Sequence, residues 1–328
     1  MPYDQLSYGK HRQRKGSSGL PKVILIAGPT ASGKSALSLN LADRFDGEVI
    51  NTDSMQVYDC LQVLTARPSM GEMQNIPHHL YGVVPPSEAY SVARWCEDAL
   101  KIAQDVLRRG KTPVFVGGTG LYFKAMLEGL SAVPAIDPAV RNAVREHLAQ
   151  EGVESLYRLL QAEDPTMATR LNAADQQRIA RALEVVRSTG RSLSAWQQEK
   201  TSPPIERLGD DIELHKIVLL PDREWLYARC DLRFTLMLEQ GAMEEVAALQ
   251  GLDPDLPAMR ALGVSYLRAH LLGTCDLDEA IKRSQTATRQ YAKRQMTWLR
   301  NQFGDWNAVS EKQSERIIAT SRNIIINN

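Results

Sequence analysis

The residues with the clearest chemistry lie near the start of the chain. Gly28-Pro29-Thr30-Ala31-Ser32-Gly33-Lys34-Ser35 has the spacing G-x-x-x-x-G-K-[ST]. Glycines let such a loop curl around an anion with successive N–H groups pointing inward, and a helix that starts at its end adds the positive pole of its dipole. Lys34 supplies a point charge for the terminal phosphate, and the Ser35 hydroxyl is placed to ligate Mg²⁺. The loop does not by itself fix the reaction. Most proteins that carry it cleave or transfer a γ-phosphate, with Mg²⁺ held by an aspartate at the end of an apolar strand. Here the apolar run Val114-Phe115-Val116 ends in Gly117-Gly118-Thr119-Gly120 instead.

Asp53 ends a second apolar run, in Asp53-Ser54-Met55-Gln56-Val57-Tyr58. In an open parallel sheet the ligand crevice lies outside the carboxyl ends of the strands. A carboxylate there can take a proton from a nucleophile beside the phosphate loop, or it can serve as a turn or helix-capping aspartate. Thr119 offers a hydroxyl after two glycines, and it reads equally as part of a tight strand-to-helix turn. Arg223, Arg229 and Arg233 recur in one segment, Arg229 and Arg233 on one helical face. Forked guanidinium groups suit a departing pyrophosphate; the alternative is a solvated face paired with Asp222, Glu224 and Asp231. The adjacent His78 and His79 point in different directions and read as structural.

The elements that must hold these groups follow from apolar patterning. Buried strands are expected at residues 22–27, 48–53, 113–117 and 215–220, with helices at 36–42, 91–109, 223–240, 244–250 and 277–300. Strands alternating with helices imply an α/β fold: a P-loop parallel sheet with helices on both faces. Residues 131–200 keep helical spacing throughout, as in Ile179, Ala182, Leu183 and Val186, and read as an all-helical insertion domain. The catalytic core then comprises residues 21–130 and 201–328, after a flexible basic extension at 1–20. The stretch beyond Gly304 carries no motif.

Lys282 to Arg300 holds six basic residues and no acid, with Tyr291 and Trp298 interleaved. Lys+Arg and Asp+Glu balance at 39 each, so this is a local concentration in a chain of zero net charge. It suits a phosphate backbone and unstacked bases, or a solvated face. No run is long and apolar enough for a transmembrane helix. The four dispersed cysteines, none in a Cys-x-x-Cys pair, speak against a metal site and for a reducing, cytoplasmic setting.

In order along the chain, GPTASGKS at Gly28, DSMQVY at Asp53, VGGTGLY at Val116 and RQYAKRQMTWLR at Arg289 are the motifs of a known family. With PHHLYGVVPPSEAYSVA at Pro77, QQRIARALEVVRSTG at Gln176 and DREWLYARCDLRF at Asp222, the chain resembles the tRNA dimethylallyltransferases from about Val23 to Arg300. The resemblance implies dimethylallyl diphosphate in the P-loop, with Mg²⁺ on Ser35. It also implies a tRNA anticodon stem-loop as acceptor, modified at the adenine 3′ of the anticodon in tRNAs that read U-initial codons. It assigns Asp53 as general base, Thr119 beside the reacting centre, and Lys34, Arg223 and Arg229 on the leaving pyrophosphate. Asp53, Ser54, Met55 and Gln56, Thr119, Arg141, Gln177, Arg178, Ile179, Ala180 and Arg181, and Lys293, Arg294 and Gln295 would meet tRNA.

Two segments depart from the family pattern. Residues 171–175 read Leu-Asn-Ala-Ala-Asp where His-Pro-Asn-Asp is common, and Gly263-Val-Ser-Tyr266 replaces a frequent Gly-Tyr. A bacterial-type member without the zinc-finger extension of the eukaryotic ones is expected, as is a monomer. The alternatives are a prenyltransferase for free adenine nucleotides and a P-loop small-molecule kinase.

Overall fold

The structure is a computed structural model that describes residues 19–319. The basic extension therefore lies outside the described residues up to position 18. Strand β1 (Lys22–Ala27) runs into helix α1 (Lys34–Arg44), then β2 (Gly47–Asn51), β3 (His78–His79), α2 (Val92–Arg108), β4 (Thr112–Gly117) and α3 (Gly120–Glu128). After α4 to α7 (Pro138–Glu163, Pro165–Ala168, Gln176–Thr189, Leu193–Trp196), β5 (Glu213–Leu219) returns to the sheet. Helices α8 (Arg223–Glu239), α9 (Ala242–Ala248), α10 (Val264–Leu271) and α11 (Leu277–Gln302) follow, and β6 (Asn307–Val309) and α12 (Glu311–Ala319) close the fold.

The sheet has six strands in the order β3-β2-β4-β1-β5-β6, and all its pairings are parallel. Parallel strands need crossovers, and these put helices on both faces. Alternation along β1 divides the core accordingly. Val23 and Leu25 face a layer with Trp95, Phe115 and Phe123, whereas Ile24 and Ile26 face one with Leu37, Leu41 and Ile217. Between residues 138 and 196 the described elements are all helical and pack around their own cluster of Val144, Leu156, Leu160, Ile179 and Leu183. Ser131 and Lys200 pair as an antiparallel bridge where the chain leaves and re-enters this unit.

Several elements lie where no strand or helix is expected from the sequence. His78 and His79, read as structural, form a two-residue edge strand that His79 Nε2 pins onto β2 through the buried Glu48 carboxylate (2.8 Å). Beyond Gly304, β6 pairs with β5, and α12 packs on α1, where Asn40 Nδ2 donates to the Ile318 carbonyl (3.4 Å). Val264–Leu271, within the atypical segment after Gly263, is helical. Cys96 and Cys230 are buried thiols, and none of the four cysteines forms a disulfide.

Candidate active site

The strand order brings three loops together. β2, β4 and β1 are neighbours, so their carboxyl ends present Asp53, Gly118–Thr119 and the phosphate loop side by side. Backbone bonds tie them: the Gly28 N–H donates to Gly117 (3.3 Å), Thr52 to Val116 (2.8 Å) and Thr119 to Thr52 (3.2 Å). In the phosphate loop Gly33 sits at φ 89°, a conformation that favours glycine, and its flip launches α1 at Lys34. The buried Ser32 hydroxyl has no partner, so the loop keeps an orphan donor where an anion would lie.

Asp53 acts as a turn aspartate through one oxygen and directs the other into a cavity. Its Oδ1 accepts the Met55 N–H (2.9 Å), a turn-forming bond, while Asn51 secures its backbone from below (2.9 and 3.0 Å). Oδ2 lies over Gly118, where a first side-chain carbon would stand 3.4 Å from it. The carboxylate thereby reaches a cavity of about 370 Å³ lined also by Thr30, Cys230, Arg233, Phe234, Met237 and Tyr291. Thr119 is outside that lining. Its hydroxyl accepts the Ser54 N–H (2.9 Å) and donates to Ser54 Oγ (3.3 Å), which bolts the Asp53 loop to β4.

The arginines separate by position. Arg233 donates to the Thr30 hydroxyl and lines both the first cavity and a second of about 590 Å³, which also holds Lys34, Ser35 and Tyr81. Arg229 Nε donates to the Ala31 carbonyl (3.1 Å) while its guanidinium covers the Trp225 ring (4.7 Å). Arg223 is exposed, stacked on Tyr227 (5.2 Å), and lines neither cavity. Arg229 and Arg233 thus line the second cavity, whereas Arg223, expected on the leaving group, faces solvent at the first turn of α8. Spacing alone had not ranked the three.

Burial lowers the Lys34 ammonium to about 8, against the pull of the Asp53 carboxylate. Burial also lowers Arg233, opposed by Cys230 and Asp53. These are cations held without full compensation, the state that an incoming anion relieves.

Exposed Lys293 and Arg294 lie on the outer side of α11, Arg294 at the mouth of the first cavity over Tyr291 (5.8 Å). Gln177, Arg178 and Arg181 line a separate cleft between the helical unit and the start of α2, with Ser91 and Ser131. Arg141 is partly buried in the first turn of α4. Ile179, expected to meet tRNA, is fully buried in the helical core, and Ala180 is half-buried against it. Gln56 donates to the Thr65 and Ala66 carbonyls (2.9 and 3.0 Å) and shapes a loop. Gln295, expected to meet RNA, is buried: its Oε1 accepts the Thr30 N–H and its Nε2 donates to the Gly118 carbonyl, both at 2.9 Å.

One residue had no signal in the sequence. Glu245 of α9 accepts the N–H groups of Gln62 (2.5 Å), Val63 (2.9 Å) and Leu64 (2.9 Å). It thus fixes the turn whose Leu64 walls the first cavity and whose Ala66 walls the second. Partners more than 180 positions apart leave no trace in local spacing.

The profile of the family described as IPP transferase matches residues 56–302, and that described as isopentenyl transferase matches residues 21–81. A tRNA dimethylallyltransferase of Parvibaculum lavamentivorans is 50% identical over 305 residues, covering 92% of this chain and 95% of that one. One of Allorhizobium ampelinum is 53% identical over 290 residues, covering 88% and 94%. Among solved structures, a tRNA isopentenylpyrophosphate transferase of Bacillus halodurans superposes with a TM-score of 0.64 at 32% identity, covering 91% and 94%. A eukaryotic dimethylallyltransferase acting on tRNA superposes with a TM-score of 0.73 at 32% identity, covering 89% and 74%.

Proposed function

The chain belongs to the IPP transferase family, and from that premise we propose that it moves the dimethylallyl group of dimethylallyl diphosphate onto tRNA. The acceptor is the exocyclic amine of the adenine 3′ of the anticodon, in tRNAs that read U-initial codons. The observation that carries this reading is the Asp53 carboxylate, which lies over Gly118 in a cavity that joins the phosphate-loop cavity at Arg233. A carboxylate there can take the proton of an amine that becomes acidic on alkylation, and the similarity to tRNA dimethylallyltransferases favours that use over γ-phosphate transfer.

The reaction breaks the allylic C1–O bond and forms a bond from that carbon to nitrogen; the amine proton passes to Asp53. Positive charge gathers on the allylic carbon as pyrophosphate departs, so cations on the leaving group lower the barrier most. Lys34, Arg229, Arg233 and the orphan Ser32 hydroxyl supply that field. The two cavities meet at Arg233, which supports entry of diphosphate past Tyr81 and of a flipped adenine past Arg294.

The residues present fit Mg²⁺. Ser35 offers one oxygen at the start of α1, and no cluster of three ligating side chains occurs among the described residues. That suits an ion which keeps its waters and takes its other ligands from phosphate. Bound at Ser35, it would neutralise pyrophosphate charge. Residues 131–200 act as an insertion domain that grips the stem-loop through Gln177, Arg178 and Arg181. The protein works as a cytoplasmic monomer; among the described residues no helix is long and apolar enough to cross a membrane.

The deciding experiment offers labelled dimethylallyl diphosphate with unmodified tRNA or with AMP. Label in tRNA alone is expected; label only in AMP would overturn the choice of acceptor.

A further inference from the structure

Taking the phosphate loop as the diphosphate site and α11 as an RNA-facing helix, we infer that Gln295 is a positioning residue for the phosphate loop, not an RNA contact. Lys293 and Arg294 beside it are exposed, whereas Gln295 turns inward with Ala292, Met296 and Leu299. Both ends of its amide are committed. One holds the N–H of Thr30 and the other the carbonyl of Gly118. A first side-chain carbon at Gly118 would stand 2.5 Å from Nε2, so the absence of a side chain there is what admits the amide.

The consequence for the loop is specific. Its outer half takes a left-handed turn at Ala31 (φ 63°), a conformation that a non-glycine residue keeps only when its surroundings hold it. Those surroundings are three side chains: Gln295 on the Thr30 N–H, Arg233 on the Thr30 hydroxyl and Arg229 on the Ala31 carbonyl. Gln295 alone among them comes from α11, and it alone also grips the β4–α3 loop over which Asp53 Oδ2 lies. It sets the spacing between the diphosphate site and the carboxylate.

The test compares two ligands on the full chain with Mg²⁺: inorganic pyrophosphate by calorimetry, and an unmodified anticodon stem-loop RNA by fluorescence anisotropy. Gln295→Met keeps length and volume and removes both hydrogen bonds. It should weaken pyrophosphate binding by about five- to tenfold, the effect of one buried hydrogen bond, and leave RNA affinity within about twofold. Gly118→Ala displaces the same amide from the opposite side without touching the outer face of α11, so it should reproduce the loss even if Gln295→Met fails to fold. Weakened RNA binding with unchanged pyrophosphate affinity in Gln295→Met would make Gln295 an RNA contact and overturn the inference. Unchanged pyrophosphate affinity in both variants would overturn it as well. Wild-type protein that binds neither ligand would instead overturn the functional reading on which the inference rests.

Discussion

The guanidinium of Arg233 donates to the hydroxyl of Thr30, so a cation carried by α8 closes a phosphate loop built by β1 and α1. This pairing unites elements some 200 positions apart and places the charge at the junction of two cavities. Arg223, ten positions earlier on the same helix, lines neither cavity.

Replacing Arg233 by alanine removes that donor from the leaving group. The single-turnover rate should fall by about 10²- to 10³-fold, the range for loss of one charge-stabilising donor. Arg223→Ala should lower it less than threefold. Rapid-quench assays of prenyl transfer at saturating tRNA compare the two.

Asp53→Asn keeps an oxygen for the Met55 N–H and so preserves the turn, yet it cannot accept a proton. The transfer rate is expected to drop by about 10²- to 10⁴-fold, with stem-loop RNA affinity unchanged by anisotropy. A near-normal rate would remove Asp53 from the role of base.

For Lys34 the sign follows from its direction of shift. Burial holds it near 8 in the folded protein, below its value in an unfolded chain, so the cost of burying its charge is full below pH 8 and fades as pH rises toward the unfolded value. Pyrophosphate needs the protonated form. The Lys34 contribution to its affinity should fall above pH 8, by at most about tenfold per pH unit, with uptake of a proton by Lys34 on binding. Calorimetry in buffers of different ionisation enthalpy reads both, and Lys34→Met should abolish the uptake.

Glu245→Ala leaves three backbone donors of the Gln62–Leu64 turn without their carboxylate. A loss of roughly 1–3 kcal/mol in urea unfolding is expected, the range for unsatisfied groups. KM for the donor should rise, because Ala66 of the same turn walls the cavity that takes the diphosphate.

Much of the site could be read from sequence because it is local. The phosphate loop, the aspartate at the end of β2 and the glycines after β4 each announce themselves within a few residues. What escaped depends on distant partners: Glu245 meets a turn more than 180 positions away, and β6 is three residues long and owes its existence to β5. His79 joins the sheet through Glu48. Gln295 is the instructive intermediate. The helical period puts it on the face of Ala292, Met296 and Leu299, a signal that was present but hidden inside a conspicuous run of basic residues.

The position of β4 between β1 and β2 has a kinetic meaning as well. β1 and β2 succeed each other in the chain yet share no hydrogen bonds in the sheet, because β4 arrives some sixty residues later to separate and join them. Until it does, the carboxylate has no fixed distance from the phosphate loop. Long-range parallel pairings form slowly, so a nascent or refolding chain should acquire α1 and its loop early and the capacity to catalyse only at the end. Competence then becomes a late checkpoint: a chain stalled before β4 enters the sheet has no assembled site with which to waste prenyl donor.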